Sequence, residues 1–193
     1  MRQKGFSDAQ LKDSGLVKID ERGCYDKFWN RVMFPIMDIN NKVIGFGGRV
    51  MGEGEPKYLN SPETPIFEKN RNLYGMHVAK RNRKPYFLIS EGYMDVISLH
   101  QEGFTNAVAS LGTAFTVQHG LLLKRYTKEV VLTFDSDGAG IKAALRAIPI
   151  LKEAGLSARV QTMKPYKDPD VFIINMGAEA YQKRIDDALP SFM

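Results

Sequence analysis

Hydrophobic and polar positions follow one another along this chain in two different rhythms, and the change falls near residue 85. Beyond it, short apolar runs rich in β-branched residues alternate with stretches of helical period. The pattern predicts strands at 86–90, 106–110, 130–134 and 156–163, and helices at 93–101, 119–126, 141–154 and 178–189. Strands buried on both sides read as continuous apolar runs, so this alternation implies a mostly parallel sheet flanked by helices. Before residue 85 the rhythm is less regular. Ser7 stands as an N-cap, Gln10 takes the capping-box position and Gly15 lies past the end, which predicts a short helix; an extended piece follows at 16–19. Two β-rich runs at 28–38 and 42–50 flank Asn40-Asn41, a hairpin signal. Gly45, Gly47 and Gly48 leave part of the second run without side-chain bulk, open to close approach by another backbone or a ligand. Their spacing is not that of a dinucleotide-binding turn, and no βα unit precedes them. Three prolines make 51–72 an irregular polar segment, and a short helix is expected at 73–82. The basic turn Lys80-Arg81-Asn82-Arg83-Lys84-Pro85 then marks a boundary. The expected organisation is a smaller basic α+β subdomain, residues 1–84, followed by an α/β domain, residues 85–193.

Composition adds limits. A chain of 193 residues with 44% hydrophobic and 25% charged positions is an ordinary globular one. No apolar run approaches the ~20 residues of a membrane span, and the first residues lack a signal-peptide core, so no membrane partner is expected. The single Cys24 forms no internal disulfide and no Cys/His cluster is present, so zinc is not expected and a reducing cytoplasm is the expected setting. Net charge is +5, unevenly spread: residues 1–86 hold sixteen Lys and Arg against ten Asp and Glu, and residues 87–193 hold eleven against twelve. That asymmetry suits a polyanion in the first half and a cation in the second.

Three of the predicted strands run into carboxylates. Val130-Val131-Leu132-Thr133-Phe134 stops at Asp135-Ser136-Asp137, with glycines releasing the chain into a helix. Phe87-Leu88-Ile89-Ser90 stops at Glu91-Gly92, and Asp95 lies one helical turn on. The strand at 156–163 is followed by Lys167-Asp168-Pro169-Asp170, where proline keeps Asp168 extended. Ligands of open α/β sheets bind beyond the carboxyl ends of the strands. Glu91, Asp95, Asp135, Asp137, Asp168 and Asp170 are therefore expected to meet at one sheet edge. Unneutralised, such a buried cluster costs on the order of several kcal/mol. A hard divalent cation, Mg2+ or Mn2+, removes that cost and creates a phosphoryl-transfer site. Asp95 and Asp170 taken singly also fit a helix-surface charge and a cap. In the polar segment, Lys57, Asn60, Ser61, Thr64 and Lys69 are donors for phosphate oxygens. Tyr58 and Phe67 are available for stacking or for anchoring the core, Phe67 more for anchoring.

These residues carry a resemblance. Glu91-Gly-Tyr-Met-Asp95, Leu111-Gly112-Thr113-Ala114, Phe134-Asp135-Ser-Asp137-Gly-Ala-Gly140 and Asp168-Pro-Asp170 look like the Toprim motifs of bacterial DnaG-type DNA primases. Upstream, Arg31-Val-Met-Phe-Pro-Ile, Val43-Ile-Gly-Phe-Gly-Gly-Arg49 and Pro56-Lys57-Tyr-Leu-Asn60-Ser resemble the same family's catalytic core. The likeness runs from about Gly5 to about Ile174. It implies synthesis of RNA primers from ribonucleoside triphosphates on a single-stranded DNA template at the bacterial replication fork, yielding an RNA–DNA hybrid. By resemblance, Glu91, Asp135 and Asp137 are the catalytic and metal carboxylates, Asp168 and Asp170 complete the ion site, and Asp95 is a further acidic position of it. Arg49, Lys57 and Asn60 match the basic groove, with Arg31 and Lys69 as additions. The family's zinc-binding module, much of its helical bundle and its contact with the replicative helicase have no counterpart here, so the chain reads as a slice of the catalytic core. Metal and nucleotide binding are expected of it, whereas unaided primer synthesis is not. Two other readings use the same residues: a Toprim-type metal-dependent nuclease, and a nucleic-acid-binding module with an inert acidic site.

Overall fold

The computed structural model describes residues 2–191 and divides into two compact units, 1–68 and 69–193. In the first unit, the capping box of Ser7 and Gln10 starts α1 (Asp8–Asp13) as expected. A two-stranded ribbon follows, β1 (Val17–Asp20) paired antiparallel with β2 (Gly23–Asp26). The hairpin forms from β3 (Arg31–Met37) and β4 (Val43–Val50). Its turn is held by Asp38, whose carboxylate accepts from the backbone N–H of Asn40 and of Lys42, both at 2.8 Å, while Asn41 takes the positive φ that asparagine tolerates. A third strand, β5 (Tyr58–Asn60), pairs with β4. Sequence periodicity did not show it, because three residues between prolines carry no period of their own. The bare glycine strand is occupied by side chains rather than by backbone. A Cβ on Gly45 would stand 3.1 Å from the Phe67 ring, and one on Gly48 would stand 2.8 Å from Phe28 and 3.0 Å from Arg31. Phe67, fully buried, is the anchor it was expected to be.

The second unit holds a five-stranded sheet in the order β10-β9-β8-β6-β7. Its strands are β6 (Tyr86–Ser90), β7 (Ala107–Ala109), β8 (Glu129–Leu132), β9 (Ser157–Val160) and the short β10 (Leu189–Pro190). The first four are parallel, and β10 closes one edge antiparallel to β9. The helices are α2 (Met76–Ala79), α3 (Tyr93–Gln101), α4 (Val117–Lys124), α5 (Gly138–Glu153) and α6 (Pro169–Asp186). Alternate residues of each strand feed two cores. Phe87, Ile89, Val130 and Leu132 pack with Leu123, Ile148 and Leu151 on one face, and Leu88 and Val131 pack with Val96, Leu99, Phe172 and Tyr181 on the other. Both faces are covered, which is why these strands read as unbroken apolar runs.

Two differences from the sequence reading matter. The compact units part at residues 68/69, sixteen residues before the expected 84/85, because Leu73, Met76 and Ala79 are buried in the core of the parallel sheet. The charge balance moves with them. Residues 1–68 hold ten Lys and Arg against ten Asp and Glu, so the basic excess of the first half belongs to 69–84. The last helix is two helical stretches joined across Gly177, whose φ of 79° and ψ of 173° are not helical. The helix expected from 178 is the second; the first, with Asp168 as N-cap and Pro169 as its first residue, was not expected although its start signal is visible in the sequence.

Candidate active site

Chain order around the sheet decides where the acidic residues meet. From β6 the chain crosses to β7 on one side, and from β8 it crosses to β9 on the other, so β6 and β8 are neighbours whose exits diverge. That divergence opens a crevice at their carboxyl ends, where α/β sheets place their ligands. Glu91 leaves β6 there and Asp135 lies three residues past β8. The two are joined directly: the backbone N–H of Asp135 donates to Glu91 Oε1 at 2.9 Å.

Asp137 is the N-cap of α5. Its Oδ1 accepts from the N–H groups of Ala139 and Gly140, both at 2.9 Å, and these bonds hold its carboxyl below the usual range. Its second oxygen lies 4.0 Å from Lys167 Nζ, which stands 3.6 Å from Asp135 Oδ2. Gly140 makes room for the whole arrangement. A Cβ there would lie 2.1 Å from the Asp135 carbonyl oxygen and 2.7 Å from Glu91 Oε1. Burial pushes the Glu91 and Asp135 carboxyls up, and their acidic neighbours add to it; Lys167 pulls both back toward the charged form.

The remaining carboxylates surround this pair at greater remove. Asp95, almost wholly buried, accepts from the Gly92 N–H at 3.1 Å, and burial with added repulsion from Asp168, Asp135 and Asp170 pushes it up to about 7. Asp168 caps α6 through the Val171 N–H at 2.8 Å. Asp170 accepts a short hydrogen bond from Ser98 on α3. So Glu91, Asp135 and Asp137 come together around Lys167, Asp95 and Asp168 couple to them through space, and Asp170 is turned toward α3. Among the described residues, no three acidic, His or Cys side chains already form a cluster that would hold an ion. The donor set is nevertheless all oxygen, and an ammonium sits between two of its carboxylates where a cation belongs. Both suit a hard divalent ion.

Beneath the site a buried chain of polar groups ties three segments together. Gln161 Nε2 donates to Thr133 Oγ1, which shares a hydrogen bond with the Tyr181 hydroxyl, each at 2.8 Å. Thr133 lies two residues before Asp135, so the strand end is fixed from below. Sequence reasoning named Asp135 and Asp137 but assigned no role to Lys167, Gly140, Thr133 or Tyr181. Their partners are 28 to 49 residues away or depend on loop geometry, and no local pattern announces them.

In the first unit, Arg31, Arg49 and Lys57 gather on the β3-β4-β5 sheet. Arg49 and Lys57 lie 5.9 and 5.7 Å from the centre of the exposed Tyr58 ring, and Arg31 Nη1 donates to the carbonyls of Gly48 and Lys57, each at 3.4 Å. Asn60 is half-buried on β5. Lys69 falls in the second unit, where its carbonyl lies 2.8 Å from His119 Nε2. No helix among the described residues is long and apolar enough to cross a membrane.

Comparison with known proteins agrees with this fold. The family described as DNA primase catalytic core, N-terminal domain, matches residues 1–80, and the Toprim-like family matches residues 88–173. A DNA primase of Clostridium acetobutylicum is 48% identical over 190 residues, covering 98% of this chain and 32% of that protein. This chain thus spans about a third of the length of the curated relatives it matches. The Escherichia coli primase catalytic core superposes with a TM-score of 0.90 at 42% identity, over 98% of this chain and 63% of that one. A DnaG primase catalytic domain bound to single-stranded DNA gives the same score and identity, over 98% and 62%.

Proposed function

Because this chain belongs to the DnaG-type DNA primases, as part of their catalytic core, we propose that it carries the divalent-metal centre and part of the template surface for RNA primer synthesis in DNA replication. The observation that supports this most is the junction of Glu91 with the Asp135 backbone at the divergence of β6 and β8, beside the capped Asp137. Glu91, Asp135 and Asp137 are the residues that would hold Mg2+ or Mn2+, with Asp168, Asp170 and Asp95 completing the acidic surround. A bound divalent ion supplies neutralisation of the triphosphate and a lower pKa for the attacking primer 3′-hydroxyl. The chain's own residues supply position. Asp135 N–H fixes one Glu91 oxygen, the α5 cap fixes one Asp137 oxygen, and Gly140 lets the two strand ends approach. Catalysis of this kind rests on orientation and charge stabilisation, with no covalent protein intermediate. By the family matches, residues 1–84 would serve as the nucleic-acid subdomain and 85–193 as the Toprim domain, with 69–84 packed on the parallel sheet of the second unit, in a cytoplasmic protein of the replication fork.

The test is incubation of the chain with single-stranded DNA, labelled ribonucleotides and Mn2+. RNA products, or at the least Mn2+-dependent ribonucleotide binding that Asp135→Asn abolishes, support the reading. Template shortening without RNA would transfer the site to a nuclease. Nucleotide binding indifferent to Asp135→Asn would leave a passive nucleic-acid module.

Arg31, Arg49 and Lys57 around Tyr58 would take the template backbone, with Asn60 as a further contact; Lys69, in the second unit, is a separate candidate for nucleotide or nucleic-acid binding. Lys57→Ala is expected to weaken single-stranded DNA binding regardless of sequence and to lower the slope of log K against log salt by about 0.7. Fluorescence anisotropy across a salt series measures it, and an unchanged slope removes Lys57 from the interface.

A further inference from the structure

Among the described residues, Lys167 is the cation ion-paired with this acidic constellation, and its placement follows from the chain's course. Its carbonyl accepts from the Ser136 N–H at 2.7 Å, and the Ser136 hydroxyl in turn accepts from the Met163 N–H at 3.0 Å. The backbone at 167 is therefore pinned against the turn that carries Asp135 and Asp137. On its other side, Asp168 is committed to the α6 cap. The lysine side chain, by contrast, is 64% exposed and is held by its two ion pairs. Beside it lies a surface cavity of about 570 Å³ lined by Ser136, Asp137, Lys164, Pro165, Tyr166 and Lys167. Asp137 is the one site carboxylate among these lining residues, which also include two lysines and the half-buried ring of Tyr166.

We propose that Lys167 is the resident counter-ion of this site: it holds Asp135 and Asp137 together without metal, yields its place to the divalent ion, and then turns its ammonium to the phosphate oxygens of the incoming nucleotide. The inference rests on the metal reading of the site. An ammonium 3.6 and 4.0 Å from two carboxylates occupies the region where a cation would bind them, so ion and lysine compete. Displacement of a charged, tethered group puts a cation at the edge of the cavity at the moment a metal-bound nucleotide arrives. Lysine suits this role because its ammonium is a point charge on a flexible stem, free of the fixed fork that would lock arginine onto a carboxylate.

The signature is a pair of effects opposite in sign. By calorimetry, Lys167→Met is expected to bind Mn2+ alone about three- to tenfold more tightly than the unaltered chain, since its two ion pairs no longer compete. The same variant should bind ATP at saturating Mn2+ about threefold more weakly. Lys164→Met, which removes a charge from the same cavity but none of these ion pairs, should leave Mn2+ affinity within about twofold. Unchanged or weaker Mn2+ binding by Lys167→Met overturns the proposal. So does an equal gain from Lys164→Met, which would make the effect one of general field, and so does ATP binding that is unweakened. Asp135→Asn separates the two levels: if it binds Mn2+ as well as the unaltered chain, the metal reading itself fails, whatever Lys167 does.

Discussion

Gly140→Ala is expected to lower stability by about 3 kcal/mol or more and to remove Mn2+-induced stabilisation, although alanine in place of glycine inside a helix normally gains about 0.5–1 kcal/mol. The sign reverses because of what the new methyl meets. At 2.1 Å from the Asp135 carbonyl oxygen and 2.7 Å from Glu91 Oε1, it collides with backbone and with a carboxylate that is itself hydrogen-bonded to that backbone. Neither is the loose end of a flexible side chain. Relief requires α5 to retreat from β8 or the Glu91–Asp135 hydrogen bond to break, and both spread the strand ends that form the site. Gly138, two residues earlier on α5, has nothing within 4 Å of its would-be Cβ. Gly138→Ala is therefore the control, expected to be neutral or slightly stabilising. Thermal melts of the pair, with and without Mn2+, give the answer: a drop of about 6–12 °C at 140 and none at 138. Equal melting temperatures would mean the close approach of β6, β8 and α5 is not as described.

Asp95→Asn is expected to stabilise the metal-free chain above neutral pH by about 2–4 kcal/mol and to flatten its pH dependence. The Asp95 carboxyl is raised to about 7 chiefly by burial, against about 3.9 for an unfolded aspartate. Between those values the folded chain keeps a proton that the unfolded chain has lost. Its contribution is therefore fully present below about pH 4 and is lost as pH rises through 7. Glu91 and Asp135, also raised, act with the same sign, while Asp38 and Asp137, held low by backbone N–H donors, act with the opposite one. The difference between Asp95→Asn and the unaltered chain isolates Asp95. An amide keeps an oxygen to accept from the Gly92 N–H, so the α3 cap survives. Denaturant titrations at pH 5 and pH 8 measure the effect. A variant no more stable at pH 8 than at pH 5, relative to the unaltered chain, would show that Asp95 is charged without cost and that its burial is compensated by groups other than those named.

Both predictions depend on features of different visibility. That Glu91 and Asp135 stand at strand ends was legible from the chain itself, because a β-branched run meeting a carboxylate and a glycine is a local event. Asp168 before Pro169 was legible for the same reason, and so was the hairpin around Asp38. The elements that escaped were those without a period to detect: β5 and β10 exist only through pairing with β4 and β9, and the stretch of α6 before the non-helical Gly177 is too short to show one.

By itself, then, the sequence determined the alternation of strands and helices, the family likeness and the identity of the carboxylates, since each rests on residues close together along the chain. The tertiary structure alone decided that β6 lies beside β8, so that the backbone N–H of Asp135 donates to the carboxylate of Glu91, 44 residues away. It decided that residues 69–84 pack with the parallel sheet, taking the basic excess with them. It also turned Gly140 from a turn residue into a required gap, and Lys167 from a neighbour of an Asp-Pro-Asp motif into the cation between Asp135 and Asp137. Periodicity tells each segment which face to bury. Which segment it is buried against follows from shape and hydrogen-bond complementarity between residues distant in the chain, and that is settled only when the strands have been ordered.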